Sequence, residues 1–150
     1  MADTYTQLYA HVVFRVKGLQ NHIHINWEEE LHKYMYGIIN NKGQKLMVIN
    51  GMHDHIHILI GFKPSINISN IVRDIKANSS RFINENSWVK GKFEWQSGFG
   101  AFTVGYSQVN TVIDYIKNQK EHHKKRGFKE EYISFLKENG VDYKPEYLFD

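Results

Sequence analysis

The alternation of histidine and isoleucine between positions 55 and 60 restricts the fold of this chain more than any other feature. Because successive side chains of a β-strand point to opposite faces, a strand here has one purely aliphatic face. That face consists of Ile56, Ile58 and Ile60. It requires a hydrophobic core, and the strand then holds His55 and His57 on its other face. Their Cα atoms would lie roughly 6 to 7 Å apart, twice the rise of a strand, so both rings can reach one metal ion.

A second pair with the same spacing, His53 and His55, competes with this one. A strand that extended back to His53 would turn Asp54 toward the isoleucine face and bury an unpaired carboxylate, which is costly. The preceding Asn50-Gly51 is also a strong signal for a two-residue hairpin turn. We therefore place His53 and Asp54 at the start of the strand and take His55 with His57 as the candidate metal-binding pair.

Patterns in the remaining sequence predict an α+β domain. The predicted strands are residues 8–16, 45–49, 55–61 and 93–103, and the predicted helices are residues 26–43, a helix that opens at residue 67, residues 107–126 and residues 129–139. The order strand, helix, strand, strand, helix, strand indicates a ferredoxin-like or RRM-like antiparallel sheet with its first two helices on one face. The histidine face is then left for another element to cover.

The third predicted helix is the candidate for that cover. Ser107 is expected to cap it, and Gly127 ends it after about Arg126. Tyr115 and Gln119 are four residues apart, so they project from one face of the helix, one turn from each other.

The bulk composition sets limits on the class of protein. A chain of 150 residues is expected to form one domain, residues 1–150. No stretch of 18 or more apolar residues is present and the start lacks a signal-peptide pattern, so we expect a cytoplasmic protein with no membrane partner. The absence of cysteine excludes disulfides, thiolate zinc sites and a cysteine nucleophile. A net charge of +3 is only a weak indication of nucleic-acid binding.

The sequence leaves two interpretations open for several side chains. Basic residues on the second and third predicted helices either face solvent or contact phosphates. These residues are Arg73, Lys76, Arg81, Lys117, Lys120 and Lys124. Three aromatic residues either stack on unpaired bases or, as we expect, pack in the core. These are Trp95, Phe99 and Phe102. His11 is expected to be structural because no residue near it in sequence completes a site.

Four motifs in this order resemble the single-tyrosine transposases of the IS200/IS605 type, which belong to the nucleases named for their His-hydrophobe-His (HUH) motif. The motifs span nearly the whole chain. They are residues 54–59, residues 75–76 with 79–82, residues 95–96 with 98–102, and Tyr115-Ile116 with Gln119 and His122-His123. The chain departs from the family at His53, where proline is usual, and this residue is not expected to be catalytic.

The resemblance implies roles for particular residues. Tyr115 would be the nucleophile that attacks a DNA phosphodiester and forms a 5′-phosphotyrosine. His55, His57 and Gln119 would bind a divalent ion, which is Mg²⁺ or Mn²⁺ in the family. Ligand chemistry alone leaves the ion open, since imidazoles prefer Mn²⁺ or Zn²⁺ to Mg²⁺. A free phenol has a pKa of about 10, so a nearby cation is needed both to favour phenolate and to neutralise the phosphate.

The resemblance also implies single-stranded DNA with terminal hairpins as the partner, and a homodimer whose subunits share their active sites. Two alternatives remain. A replication-initiator or relaxase-like nicking enzyme uses the same chemistry, although the small size of the chain and the position of Tyr115 and Gln119 after the histidine motif favour the transposase. A non-catalytic module that binds single-stranded nucleic acid would use the same fold without the chemistry.

Overall fold

A four-stranded antiparallel sheet forms the centre of the protein in the computed structural model, which describes residues 3–18 and 22–149. Its strands are β1 (Tyr9–Arg15), β2 (Lys45–Met52), β3 (His55–Gly61) and β4 (Gly100–Thr103). The strand order is β2-β3-β1-β4. With one helix after β1 and one after β3, this is the predicted ferredoxin-like arrangement, and it places the histidine-bearing strand in the interior of the sheet.

Two helices cover the isoleucine face of the sheet. They are α1 (Ile25–Asn41) and α2 (Ile68–Glu85). Each buries an apolar stripe, which in α1 consists of Trp27, Leu31, Met35 and Ile39. The three isoleucines of β3 pack into the same cluster and are 0% exposed. Since full burial of one such side chain contributes roughly 1.5–3 kcal/mol, this layer fixes which face of β3 points inward.

The later part of the chain covers the histidine face. It contains α3 (Val109–Lys117), α4 (Gln119–His122) and α5 (Phe128–Glu138). Leu59 of β3 forms a buried cluster with Val109 and Ile116 of α3. A second cluster joins α5 to β1 and β4, and its buried members are Val13, Phe102, Phe128 and Leu136. The prediction that a tyrosine-bearing helix covers this face is confirmed.

The hairpin between β2 and β3 turns at His53 and Asp54, so the prediction of a turn at Asn50-Gly51 is wrong. Gly51 continues β2 and pairs with Ile56 of β3. A Cβ atom at Gly51 would overlap the backbone carbonyl oxygen of His55. Glycine is therefore needed here for the close approach of the two strands and not for a turn.

The third predicted helix is two helices. Asn118, with φ −96° and ψ 19°, interrupts it between α3 and α4. The side chain of Asn50 in β2 accounts for this end, because its Nδ2 donates to the carbonyl oxygens of Ile116 and Lys117, both at 3.0 Å. Within the described ranges, no helix has both the length and the apolar character of a membrane span.

The starts of the helices agree only partly with the sequence-based prediction. Asn67 caps α2 as expected. His24 caps α1, since its ring nitrogen accepts a hydrogen bond from the backbone N–H of Asn26 at 3.1 Å. Ser107 is not a cap, because it lies in a 3-10 turn, Tyr106–Gln108, that precedes α3.

The fourth strand is shorter than predicted. β4 contains only Gly100–Thr103, while Trp95 forms an isolated bridge with Val16 at the end of β1. Gly98 lies between the two pairings with φ +83°, a conformation that glycine adopts without strain. The strand predicted over residues 93–103 is therefore broken at Gly98.

Replacement of Gly51 tests the close approach of β2 and β3. We expect Gly51→Ala to lower the free energy of unfolding by about 1–3 kcal/mol, since the added carbon meets backbone that cannot move aside. Gly37→Ala in α1 is the control, because a Cβ there has no neighbour within 4 Å. Alanine is better than glycine in a helix by about 0.5–1 kcal/mol, so this variant should be slightly stabilised. Urea denaturation measures both, and equal stability of Gly51→Ala and wild type would contradict the pairing described.

Candidate active site

His55 and His57 project from β3 on the face opposite to the isoleucines, as the alternation predicts. Both side chains are 0% exposed, and their ring centroids lie 5.0 Å apart. β3 pairs with β1 on one side and with β2 on the other. The two imidazoles are therefore held by a strand whose backbone is hydrogen-bonded along both edges.

Asp54, in the hairpin turn, orients His55. The Nδ1 atom of His55 lies 2.7 Å from Asp54 Oδ1. Nε2, on the other side of the ring, lies 3.2 Å from Gln119 Oε1. Burial lowers the pKa of His55, but its hydrogen bonds to the carboxylates of Asp54 and Glu131 outweigh burial and raise it. Burial raises the pKa of Asp54, but the hydrogen bond to His55 and the charge of that ring lower it to about 2. Asp54 is thus an ionised carboxylate that fixes the ring.

His11, on β1, orients His57. Nε2 of His11 lies 2.8 Å from Nδ1 of His57. Burial lowers the pKa of His57 to about 4, and burial together with the neighbouring His57 lowers that of His11 to about 3. Both rings are therefore neutral at pH 7, and one donates to the other. Since Nε2 of His57 lies 2.9 Å from the carboxylate of Glu131 in α5, that nitrogen carries the proton and donates, and Nδ1 of His57 accepts from Nε2–H of His11.

Glu131 of α5 brings a carboxylate to these rings. This residue is 0% exposed. Its Oε1 atom lies 2.9 Å from Nε2 of His57, 3.0 Å from Nε2 of His123 and 3.5 Å from Nε2 of His55. Burial raises the pKa of Glu131, but the hydrogen bonds from the three histidines outweigh it and hold this pKa well below its usual range. A buried negative charge is thus stabilised by imidazoles on three sides.

The other oxygen of Glu131 holds the candidate nucleophile. Its Oε2 atom accepts hydrogen bonds from the hydroxyl of Tyr115 and, at 3.0 Å, from Nε2 of Gln119. One carboxylate therefore contacts the tyrosine hydroxyl, the glutamine amide and the histidine rings. Tyr115 and Gln119, predicted to share a helix face, do meet at one point with the histidine pair, although Asn118 breaks the helix between them.

The phenol of Tyr115 is half-buried and held on several sides. Its ring stacks on His122, with centroids 4.6 Å apart, and Arg126 Nη2 lies 3.5 Å from its hydroxyl oxygen. Burial, together with the hydrogen bond to Glu131 and the negative charge of that carboxylate, raises the pKa of Tyr115 to about 12. In this arrangement the hydroxyl keeps its proton, and only additional positive charge would favour the phenolate.

The cluster has the donors and the dimensions of a metal site. Ligand atoms of His55, His57, His123 and Glu131 all lie within 4.8 Å of one another. A bound ion at about 2.0–2.2 Å from nitrogen or oxygen needs ligand atoms no more than about 4.4 Å apart, so small side-chain shifts suffice. His55 and His57 each use Nδ1 for a neighbouring side chain and present Nε2, as metal-binding histidines do. The amide oxygen of Gln119 lies beside them, so these residues can hold a divalent ion.

The basic residues of α2 lie elsewhere, on the edge of a large groove. The groove has a volume of about 940 Å³ and lies between α2 and residues 92–99. Arg73, Lys76 and Arg81 line it, together with Phe99. Lys76 is half-buried and donates to the backbone carbonyls of Gln96 and Gly98, both at 2.7 Å. Lys76 thus holds the wall of the groove, while both arginines are exposed.

The basic residues after Tyr115 have different surroundings. Lys120 binds the carboxylate of Glu28 at 2.9 Å and the carbonyl of Gly51 at 2.7 Å, so it fastens α4 to α1 and β2. Lys124 pairs with the exposed Glu121 at 3.1 Å, and Lys117 is exposed. Of the three aromatic residues, Trp95 and Phe102 are buried in the core, as expected, and Phe99 remains partly accessible.

A family model described as "Transposase IS200 like" matches residues 4–119. The chain belongs to the IS200-like transposase family. The match includes the histidine pair, Tyr115 and Gln119, which are the residues that the sequence motifs point to. No curated protein matches the chain.

Two solved structures share the fold of this IS200-like transposase. A crystal structure of a transposase candidate from Deinococcus radiodurans R1 is 21% identical, with a TM-score of 0.63, and the match covers 79% of this chain and 95% of that one. A REP-associated tyrosine transposase bound to a REP hairpin is 13% identical, with a TM-score of 0.62 and coverage of 82% and 73%. At these identities the similarity concerns the fold.

Glu131 was not found by sequence reasoning, and it lies beyond the region that the family model matches. The sequence does contain one indication that Glu131 is buried. Phe128, Tyr132 and Phe135 recur at helical spacing, and a glutamate at position 131 interrupts this aromatic stripe. An acidic residue on the buried face of a helix needs a partner, although the sequence does not show that three histidines provide it. His123 was part of a recognised motif but had no assigned role.

Removal of the Asp54 carboxylate tests the orientation of His55. We expect Asp54→Ala to lower the affinity for Mn²⁺ by about 10- to 100-fold, because groups that orient a ligating histidine have effects of this size. Isothermal titration calorimetry on the metal-free protein measures the affinity. Asp114→Ala, which removes an exposed carboxylate from α3, is the control and should bind Mn²⁺ as wild type does. Equal affinities of the two variants would contradict a role for Asp54.

Proposed function

We propose that this transposase cleaves and rejoins single-stranded DNA through Tyr115, with a divalent ion, Mg²⁺ or Mn²⁺, held by His55, His57 and Gln119. One observation carries the proposal. The hydroxyl of Tyr115 and the candidate metal ligands converge on a single buried carboxylate, although they come from β3, α3 and α4. A reacting phosphate placed there would touch the nucleophile and the ion together.

The proposed step is a transesterification. The phenolic oxygen of Tyr115 bonds to phosphorus while the bond from phosphorus to the 3′ oxygen breaks. The phenol loses its proton and the 3′ oxygen gains one, which leaves a 5′-phosphotyrosine and a free 3′-hydroxyl. Because the new ester keeps the energy of the broken bond, the 3′-hydroxyl of a second strand can attack it and rejoin DNA without ATP.

Residues around Tyr115 support this chemistry. A bound divalent ion would supply positive charge that favours phenolate and neutralises the phosphate. Arg126, with Nη2 3.5 Å from the hydroxyl oxygen, adds a fixed positive charge at the same place. Stacking on His122 and contact with Phe135 restrict the phenol ring to one orientation.

The proposed substrate is single-stranded DNA that carries terminal hairpins. One protein with the same fold is bound to a REP hairpin, and this supports hairpin DNA as the partner. The groove beside α2 is the proposed contact surface outside the active site. Arg73 and Arg81 would bind phosphates, and Phe99 offers a ring on which an unpaired base can stack. Lys117 and Lys124 are further candidates for phosphate contacts, whereas the ion pair of Lys120 favours a structural role.

The resemblance to the family leads us to expect a homodimer with shared active sites. The geometry favours a resting state in which each site consists of residues from one chain. Tyr115 already lies against the histidine pair of its own chain, and α3 is fixed there by the cluster of Leu59, Val109 and Ile116. We propose that each chain assembles its own site. Sharing of sites would require α3 to leave this cluster and move as a unit to a second chain.

Substitution of Tyr115 separates the enzyme from a non-catalytic binding module. We expect Tyr115→Phe to abolish the covalent adduct with a hairpin-bearing single strand in Mn²⁺ and to retain most of the DNA affinity. Denaturing gel electrophoresis detects the adduct, and fluorescence anisotropy measures binding. Tyr106→Phe, an exposed tyrosine just before α3, is the control and should form the adduct. An adduct that persists in Tyr115→Phe would show that another residue is the nucleophile.

A mixture of two inactive variants extends this test to the arrangement of sites. His55→Ala and Tyr115→Phe each lack one half of the proposed chemistry. If each chain assembles its own site, the mixture should form no more adduct than either variant alone. Rescue in the mixture would show that the tyrosine of one subunit serves the histidines of another.

The double substitution Arg73→Ala with Arg81→Ala tests the groove. We expect weaker binding of hairpin-bearing single strands and a shallower dependence on salt, by roughly 0.7 in the log–log slope for each lost phosphate contact. Lys33→Ala with Lys45→Ala removes the same charge from exposed positions on α1 and β2 and should change both quantities less. An unchanged salt slope in the arginine variant would show that the DNA does not contact these arginines.

A further inference from the structure

The proposed active site is closed to DNA in this conformation. Four of its residues, His55, His57, Gln119 and Glu131, are each 0% exposed. A phosphodiester that reacts with Tyr115 must reach the same atoms, and the two nucleotides that carry it are far larger than any gap that full burial leaves. Some part of the protein must therefore move before the proposed reaction can begin.

The element that closes the site is α5. Its Phe128 ring lies 4.5 Å from the His55 ring, and its Phe135 ring lies 5.0 Å from His11 and 6.1 Å from His57, centroid to centroid. Phe149, in the segment that follows α5, packs against Phe128. These aromatic contacts form a roof over the histidine face of β3.

Under this roof, Glu131 makes the contacts that a reacting phosphate would need. A scissile phosphate must offer one oxygen to the cationic side of the site while its phosphorus meets the phenolic oxygen of Tyr115. The carboxylate of Glu131 offers Oε1 to the imidazoles and takes the hydroxyl of Tyr115 on Oε2. It also carries the negative charge that the phosphate would bring.

We propose that Glu131 occupies the place of the scissile phosphate and that α5 is a built-in cover which substrate DNA displaces. This inference rests on the proposed function of Tyr115 and the histidines. The protein would then rest with its nucleophile bound to its own carboxylate. DNA that enters would exchange a phosphate for Glu131, so the affinity for DNA would be set partly by the cost of lifting α5.

The attachment of α5 suits such a movement. Within the described ranges, the backbone hydrogen bonds of residues 127–149 stay inside that segment, while the strands are joined by backbone ladders. Side chains alone connect α5 to the sheet, apart from a hydrogen bond of 3.0 Å from the Gln96 side chain to the carbonyl of Leu148. Gly127 is the N-cap residue of the helix and follows a short irregular connection. α5 can therefore leave without breaking a strand pairing.

The first experiment measures binding of a short single-stranded oligonucleotide to the full chain in chelator, where no cleavage is expected. Glu131→Gln removes the charge and keeps the shape, and we expect it to bind roughly tenfold more tightly than wild type, because the closed form loses its charged contacts. Glu130→Gln is the matched control. It removes the same charge from the neighbouring exposed position, so it reports the effect of net charge alone.

The second experiment needs no variant. Hydrogen–deuterium exchange of wild type should show faster exchange of the amides of residues 128–138 when the oligonucleotide is bound, while β3 remains protected. Protection of α5 that does not change on DNA binding would overturn the proposal. The proposal would also be overturned if Glu131→Gln bound DNA no more tightly than Glu130→Gln. This includes the case in which Glu131→Gln only loses affinity for Mn²⁺, because Glu131 would then act as a metal ligand.

These outcomes are independent of the test of the nucleophile. A covalent adduct that fails to form in wild type would refute the proposed chemistry of Tyr115, whatever α5 does. Exchange and affinity data that show no movement of α5 would refute the cover, even if the adduct forms through Tyr115.

Discussion

Burial of β3 on both of its faces is the constraint on which the rest of the structure depends. The aliphatic face must be buried for the domain to fold, and α1 and α2 bury it. The opposite face then carries two imidazoles at a fixed spacing in the interior of the sheet. Because those rings are polar, the elements that cover them must bring hydrogen-bond partners as well as apolar area. α3 and α5 bring apolar area, and α4 and α5 bring the hydrogen-bond partners.

The polar partners divide into two groups with different effects. Asp54 and His11 lie on the hairpin and on β1, and each takes the Nδ1 side of one ring. They set the orientation of the rings, and their own positions depend only on the sheet. Gln119 and Glu131 lie on covering helices and face the Nε2 side. The orientation of the histidines is therefore part of the core fold, whereas what faces them depends on how the C-terminal helices pack.

Sequence patterns were reliable where one side-chain period dominated and failed where contacts distant in sequence decided the backbone. The alternation of β3 placed His55 and His57 correctly. The dipeptide Asn50-Gly51 predicted a turn. In the structure, Asn50 is hydrogen-bonded to the end of α3, and Gly51 allows β2 to approach β3 closely. The same hydrogen bonds from Asn50 lie at the end of α3. The local sequence pattern had predicted a helix that continues through Asn118.

The sequence by itself determined the order of elements, the two-faced character of β3 and the proximity of Tyr115 to Gln119, because these depend on the local periods of strands and helices. The tertiary structure alone decided that Glu131 meets the histidines and that the tyrosine lies against the histidines of its own chain. Both follow from how helices pack across a sheet, which depends on side-chain shape summed over many residues. A buried carboxylate that is 74 residues from His57 leaves no periodic signal of its partner.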